Sequence, residues 1–245
     1  MFRNPSTLLS LSFLLALLPS PVAADDGVVE INQAAVSAGG ITPSDSPGFP
    51  ATLDRRGSYR LTGNLSVPAS TDGVRIEADG VTLDLNGFSI SGPTRITCPI
   101  QGCPPNNGIG VHSLNATGST VRNGSVENMG AEGIRLDGEA RVYDVTARSN
   151  GRSGIQVGSW SLVRHCVANQ NDLAGIIAPD SSTVIGNTMV GNGVQGLRCP
   201  TGNGRTCGYA FNVLALNSNH STDPAAQVLH GNQTGGYVCG TGLCP

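Results

Sequence analysis

From Ser119 to Asn203 the apolar positions of the chain return every 21 residues. Val121, Val142, Val163 and Val184 share one register. Gly133, Gly154, Gly175 and Gly196 share another, each followed by Ile134, Ile155, Ile176 or Leu197. Within a unit the apolar residues alternate with polar ones, as at Val145 and Ala147 and again at Ile155 and Val157, which is the period of half-buried strands. Gly, Asn, Asp and Ser punctuate the runs and supply tight-turn conformations. A fixed period of this kind marks a repeat architecture, and 21 residues cannot hold two helices and a turn. A leucine-rich repeat has a similar length but needs several Leu at its own spacing, and Leu is scarce here. Three short strands and three turns per unit predict one coil of a parallel β-helix. Coils then stack about 4.8 Å apart, and residues one repeat apart form ladders.

Two ladders carry the expectation further. Asn150, Asn171 and Asn192 fall in one column, where side-chain amides can hydrogen-bond from coil to coil, with Met129 in that place in the first unit. Ile134, Ile155, Ile176 and Leu197 form an aliphatic column beside Leu136, Val157, Ala178 and Cys199. Upstream, DGVRIEADGVTLDLNGFSISG (Asp72 to Gly92) has the same grammar, with Ile76, Val81, Leu83, Leu85, Phe88 and Ile90 as core candidates. The apolar end of such a stack needs a cover; Glu30 to Ser37, ended by Gly39-Gly40, predicts a short capping helix. Pro93 to Asn107 interrupts the stack, Phe211 to Asn219 predicts a last strand pair, and the tail ending VCGTGLCP predicts a disulfide-tied cap. The expected organisation is a signal peptide over 1–24, an N-terminal cap with entry strands over 25–69, the β-helix over 70–219 and a C-terminal cap over 220–245.

Charge and cysteine content narrow the setting. Charged residues make up 13% of the 245, below the roughly 25% usual in soluble domains, and the net charge is −3 with no basic run. That lacks the footprint of a nucleic-acid binder. Met1 to Ala24 reads as a secretory signal: Arg3, the apolar Leu8 to Leu18, and small residues before Asp25. The apolar run is too short to span a bilayer, so the expected location is secreted or periplasmic, with no membrane span. Seven cysteines fit an oxidising compartment. Cys98 with Cys103 and Cys239 with Cys244 share the spacing C-x4-C, while Cys199 and Cys207 flank a loop; three local disulfides are expected, although spacing alone does not fix connectivity. Cys166 is left over and reads as a buried free thiol.

The segment GVTLDLNGFSISG, followed by repeated Gly-Ile and Asn units, resembles the right-handed parallel β-helix proteins of the pectate-lyase-like superfamily. The likeness is greatest to small secreted bacterial proteins with such repeats, many without assigned activity. It covers about Asp72 to Asn219 and extends to SYRLTGNLSVP just before. The resemblance implies an all-β, right-handed solenoid. It implies no particular chemistry, since the superfamily includes polysaccharide lyases, pectin hydrolases, esterases and noncatalytic surface proteins.

Candidate chemistry lies where the repeat is free to vary. One column reads Arg122, Tyr143, Arg164, Ile185, and the next Asn123, Asp144, His165, Gly186. An aromatic face between two guanidinium groups suits a sugar ring bearing carboxylates, which Arg pairs bidentately. Arg122, Tyr143 and Arg164 are therefore the candidate substrate-binding residues, and Asp144 with His165 the candidate acid–base pair. Neighbouring strand positions face opposite ways, so the two columns share a surface only if a turn or bulge intervenes. Glu127 and Arg148 predict an exposed cross-coil pair, and Arg135, Gln156, Ile177 and Arg198 form a further outward column. Paired catalytic carboxylates do not gather in the aligned columns, and Asp84 stands alone between Leu83 and Leu85. The four His lack metal-ligand spacing, so no metal site is expected; calcium enters only if the protein is a lyase. The expected function is noncatalytic binding of carbohydrate or another surface polymer, or an envelope scaffold. The competing expectation is a lyase or glycoside hydrolase acting on an acidic polysaccharide.

Overall fold

The computed structural model describes residues 27–93, 107–200 and 207–218, with the backbone of 227–230 and 233–235. The valine register is a sheet ladder: Val142 pairs in parallel with Val121 below and Val163 above, and Val163 with Val184. The same ladder continues down through Leu83 to Tyr59 and up to Tyr209. Three columns of parallel strands wrap the chain into a right-handed solenoid. The first two columns form a 15-stranded sheet, and the third is a seven-stranded sheet running from Ala51–Leu53 to Gln195–Arg198. In the strands Thr120–Glu127 and Arg141–Arg148 the first and second columns follow one another without a break.

Each coil buries one side chain or more per column. Val142, Ala147 and Ile155 are fully buried, as are Val163, Ala168 and Ile176 one coil on. Of the upstream core candidates, Ile76, Val81, Leu83, Leu85 and Ile90 are fully buried, and Phe88 packs half-buried against them. The asparagine ladder runs inside this core. Asn150 Nδ2 donates to Asn171 Oδ1 at 2.9 Å, and Asn171 Nδ2 to Asn192 Oδ1 at 3.0 Å; each Oδ1 also accepts the backbone N–H of the residue below, beginning with Met129. The glycine column exists because of this ladder. A Cβ on Gly154 would lie 2.7 Å from Asn171 Nδ2 and 2.9 Å from the Gly175 carbonyl oxygen, closer than any side chain tolerates. Gly and Asn thus recur together as one packing unit.

At the N-terminal end, helix Gln33–Ala38 is capped by Asn32, whose side chain accepts from Ala35 N–H at 3.0 Å, and ends at Gly39 with φ 70°. It starts later than the sequence predicts, because Val28–Ile31 pairs with Ser58–Leu61 as a strand and claims Glu30 and Ile31. Near the other end Cys199 and Cys207 form a disulfide with Cα atoms 5.6 Å apart. Cys98, Cys103, Cys239, Cys244 and Met1 to Ala24, where a signal peptide is expected, lie outside the described residues. Among the described residues no helix is long and apolar enough to cross a membrane.

Candidate functional site

The two candidate columns do share a surface, and the reason is backbone geometry. Asn123, Asp144 and His165 adopt left-handed φ of 58°, 57° and 52°, with Gly186 at 67° in the same column. A left-handed residue between two extended ones breaks the in-out alternation. In the strand Arg141–Arg148, Val142 and Val145 are both buried while Tyr143 and Asp144 between them both face outward. The corner turns the chain from the first column to the second and leaves two consecutive side chains outside.

On that face the candidate binding residues meet in one chain of contacts. Arg122 Nη1 donates to the Tyr143 hydroxyl at 3.3 Å, and the Arg164 guanidinium lies 5.0 Å from the centroid of the Tyr143 ring. Below them, Arg122 Nη2 is 2.9 Å from Asp84 Oδ2, and Asn123 Nδ2 donates to Asp84 Oδ1 at 3.2 Å. The hydrogen bond to Tyr143, with the Asp84 charge behind it, holds the Arg122 guanidinium above its ordinary value. Asp84, solitary in the sequence, is therefore a partner of Arg122 one coil below. The excursion after Gly92 hides this, since it displaces the two residues from the 21-residue register. Arg122 is committed to Asp84 and Tyr143, whereas Arg164 is exposed and holds its charge on the outer side of the ring.

Asp144 and His165 are brought together less closely. Their nearest atoms are 3.8 Å apart, beyond a hydrogen bond, and the side chains are 50% and 60% exposed. Glu127 and Arg148 do form the expected cross-coil pair, though Glu127 is mostly covered and only Arg148 exposed. Cys166 is a free, buried thiol, and burial pushes it up to about 12. It has no nucleophilic character there.

The third column carries an arrangement that the 21-residue pattern did not disclose. Arg75 and His112 occupy the same outward ladder as Arg135 and Gln156. Asp72, at the turn before Arg75, brings its Oδ2 within 3.1 Å of both Arg75 Nη2 and His112 Nδ1, and its Oδ1 accepts Ile109 N–H at 3.0 Å. Burial pushes this carboxyl up, but the bonds from His112, Ile109 and Arg75 outweigh it and bring it down to about 2. The signal was present in the sequence as Asp72-Gly-Val-Arg75, but the coil between Asp72 and His112 contains the Pro93–Asn107 excursion. Among the described residues no group of three or more His, Cys, Asp or Glu could hold a metal ion.

A family profile described as "Right handed beta helix region" matches residues 53–218. The chain belongs to this right-handed β-helix family. No match is found among curated proteins. A right-handed β-helix is a scaffold on which function is set by the outward residues of particular coils. In this one, the outward contacts of Tyr143 with Arg122 and Arg164, and of Asp72 with Arg75 and His112, are particular to single coils.

Proposed function

We propose that this β-helix protein works outside the cytoplasm as a noncatalytic binder of an acidic carbohydrate polymer. One observation carries the reading: the Tyr143 ring is held between Arg122 and Arg164 on an outward face, with Arg164 stacked over it. A guanidinium stacked on an aromatic face keeps its in-plane N–H donors for a carboxylate, and the ring beside it offers a sugar an apolar surface. Asp84 is engaged by Arg122 and Asn123, and Asp144 lies 3.8 Å from His165, beyond a hydrogen bond, so no acid–base pair is assembled beside the ring, which favours recognition over acid–base chemistry. The leader-like Met1 to Ala24 and the Cys199–Cys207 disulfide support an extracytoplasmic location; the expected mature N-terminus is Asp25, readable by mass spectrometry of the exported protein. Titration of polygalacturonate into the purified protein tests the binding. Affinity that Arg164→Ala and Tyr143→Ala both weaken supports it, and unchanged affinity in both variants removes it.

A second reading, a lyase or glycoside hydrolase on an acidic polysaccharide, is favoured by the Asp72–His112 pair. An aspartate bound to Nδ1 sets a histidine's tautomer and leaves Nε2 to act as a base. Release of unsaturated products or new reducing ends by the wild type, lost in His112→Asn, would establish that reading in place of the first.

A further inference from the structure

The outer face of the second strand column changes character along the solenoid. In the early coils its outward positions are Ser89, Ser125 and Thr146 in one row and Ser91, Glu127 and Arg148 in the other. In the later coils the rows continue as Val167, Thr188 and Val213, and as Asn169, Val190 and Ala215. Of the large apolar side chains exposed among the described residues, all but Leu114 lie at Trp160 or beyond it. Past Cys166 the only charged side chains among the described residues are Asp172, Asp180 and Arg198, and none is in these rows.

The corners on either side of this face sharpen the change. At the first, the column of Asn123, Asp144, His165 and Gly186 continues into Phe211. At the second, Asn128, Ser149, Gln170 and Gly191 are followed by Leu216. Phe211 and Leu216 both have a left-handed φ of 53°, and both are 60% exposed. Asn and Gly take that conformation readily, whereas a bulky apolar residue rarely does. The turns do not need Phe or Leu, since polar residues or Gly make the same corners in the coils before. Leu173 and Val194, stacked one coil apart beyond the second corner, prolong that rim. The result is a shallow apolar trough with valines on its floor, and exposed apolar surface of this kind marks an interaction site.

The chain itself supplies an occupant. The strand Gln233–Gly235 lies on the same column, one coil beyond Val213–Ala215, with Gly235 opposite Ala215. Ten residues follow it, GYVCGTGLCP (Gly236 to Pro245), with Tyr237, Val238 and Leu243 among them and no charged side chain. From Gly235 back to Asn169 is three intercoil steps, about 14 Å. Extended chain covers about 3.3 Å per residue, so about five residues span the apolar stretch. We propose that Gly236–Pro245 turns back along the solenoid and lies on the outer face of the second column, its apolar side chains between Phe211 and Leu216 and over Val190 and Val213. The segment is then a lateral strap rather than a cover for the end of the stack. The inference is independent of the polysaccharide reading, because this face lies across the Asp144 corner from Tyr143.

Hydrogen exchange of the full chain, read by mass spectrometry on peptides covering 236–245, tests this, with sedimentation giving the oligomeric state. The double variant Phe211→Asn, Leu216→Asn places at both corners the residue type that earlier coils carry at Asn123 and Asn128, so the left-handed backbone is kept. Leu114→Ser, which removes an exposed apolar side chain after the third-column strand Val111–Ser113, is the control. The proposal expects a monomer with protected amides over 236–245, and exchange there about tenfold faster in the double variant. Leu114→Ser should leave that exchange as it is in the wild type. Equal exchange over 236–245 in wild type and double variant overturns the proposal. If both are fast, the segment is undocked; if both are slow, it sits elsewhere, as over the end of the stack. A wild-type dimer that the double variant dissociates, with exchange over 236–245 unaltered, also overturns it and gives the face to a second copy of the chain.

Discussion

Cys166 stands directly below Asn187 and stands in for an asparagine. Its N–H donates to Asn187 Oδ1 at 2.8 Å, and its Sγ is 3.6 Å from the Val142 carbonyl oxygen. One coil up, Asn187 Nδ2 donates to the matching Val163 carbonyl at 3.0 Å, and Asn212 Nδ2 to Val184 at 2.9 Å. A second amide ladder thus ends on a thiol, which uses its weaker donor for the carbonyl that an amide would otherwise satisfy.

Reactivity at Cys166 should follow from that position. Burial drives its thiol up to about 12, and the thiolate is the reactive form. Alkylating reagent at neutral pH should leave Cys166 unmodified in the folded protein and label it after denaturation, as read by peptide mass mapping. Labelling of the native protein at Cys166 would show the coil opening far more readily than its packing implies.

The first amide ladder should be costly to interrupt. Asn171 is buried, accepts from the N–H and Nδ2 of Asn150, and donates to Asn192 Oδ1 and to the Ala147 carbonyl. Asn171→Ala strands these groups away from water, and each buried unmet partner costs about 1–3 kcal/mol. A loss of about 3 kcal/mol or more in unfolding free energy is expected from the denaturant midpoint. Asn217, the last of this ladder among the described residues, accepts from the N–H and Nδ2 of Asn192 and donates to the Met189 carbonyl; with one fewer partner described than Asn171 has, it should matter less. Equal losses at both positions would argue against cooperation along the ladder.

How much of this was legible beforehand depended on whether spacing was constant. Val121 to Val184, the Asn ladder and the Ile column could be aligned by eye because every coil there has the same length. The inner packing follows from that regularity, and so do the contacts of Tyr143 with Arg122 and Arg164. Asp84 with Arg122, and Asp72 with His112, were not legible. Both pairs straddle the excursion after Gly92, which puts 37 or more residues between partners that are neighbours in space. The corner at Glu139, Trp160 and Ser181 was hidden for another reason: its left-handed backbone is announced by residue type only at Gly80 and Gly118 in the same column.

The Asp72 cluster makes stability depend on acid in a definite window. The folded carboxyl titrates at about 2, below its ordinary value of 3.8. A depressed folded value means the carboxylate stabilises the fold above about pH 4, and that contribution is lost as pH falls through about 2. Its size is about 2 kcal/mol. The difference in unfolding free energy between wild type and Asp72→Asn should narrow by about that amount between pH 4 and pH 2. A gap that stays constant over that interval would mean that Asp72 is not held by His112, Ile109 and Arg75 in solution.

The patch itself can be divided by three substitutions. Tyr143→Phe removes the hydroxyl that Arg122 Nη1 reaches at 3.3 Å but keeps the ring under Arg164. Arg164→Lys keeps the charge but loses the planar fork and its stacking, and Arg164→Ala loses both. If the stacked guanidinium is what meets a carboxylate, affinity for polygalacturonate should fall about tenfold in Arg164→Ala, equivalent to about 1.4 kcal/mol. Most of that loss should already appear in Arg164→Lys, and little in Tyr143→Phe. The wild-type affinity should also weaken with added salt, since exposed charges are screened within about 10 Å at 0.1 M. If Arg164→Lys matched the wild type, the contact would be a simple charge attraction, and the geometry of the Tyr143 ring would have no part in recognition.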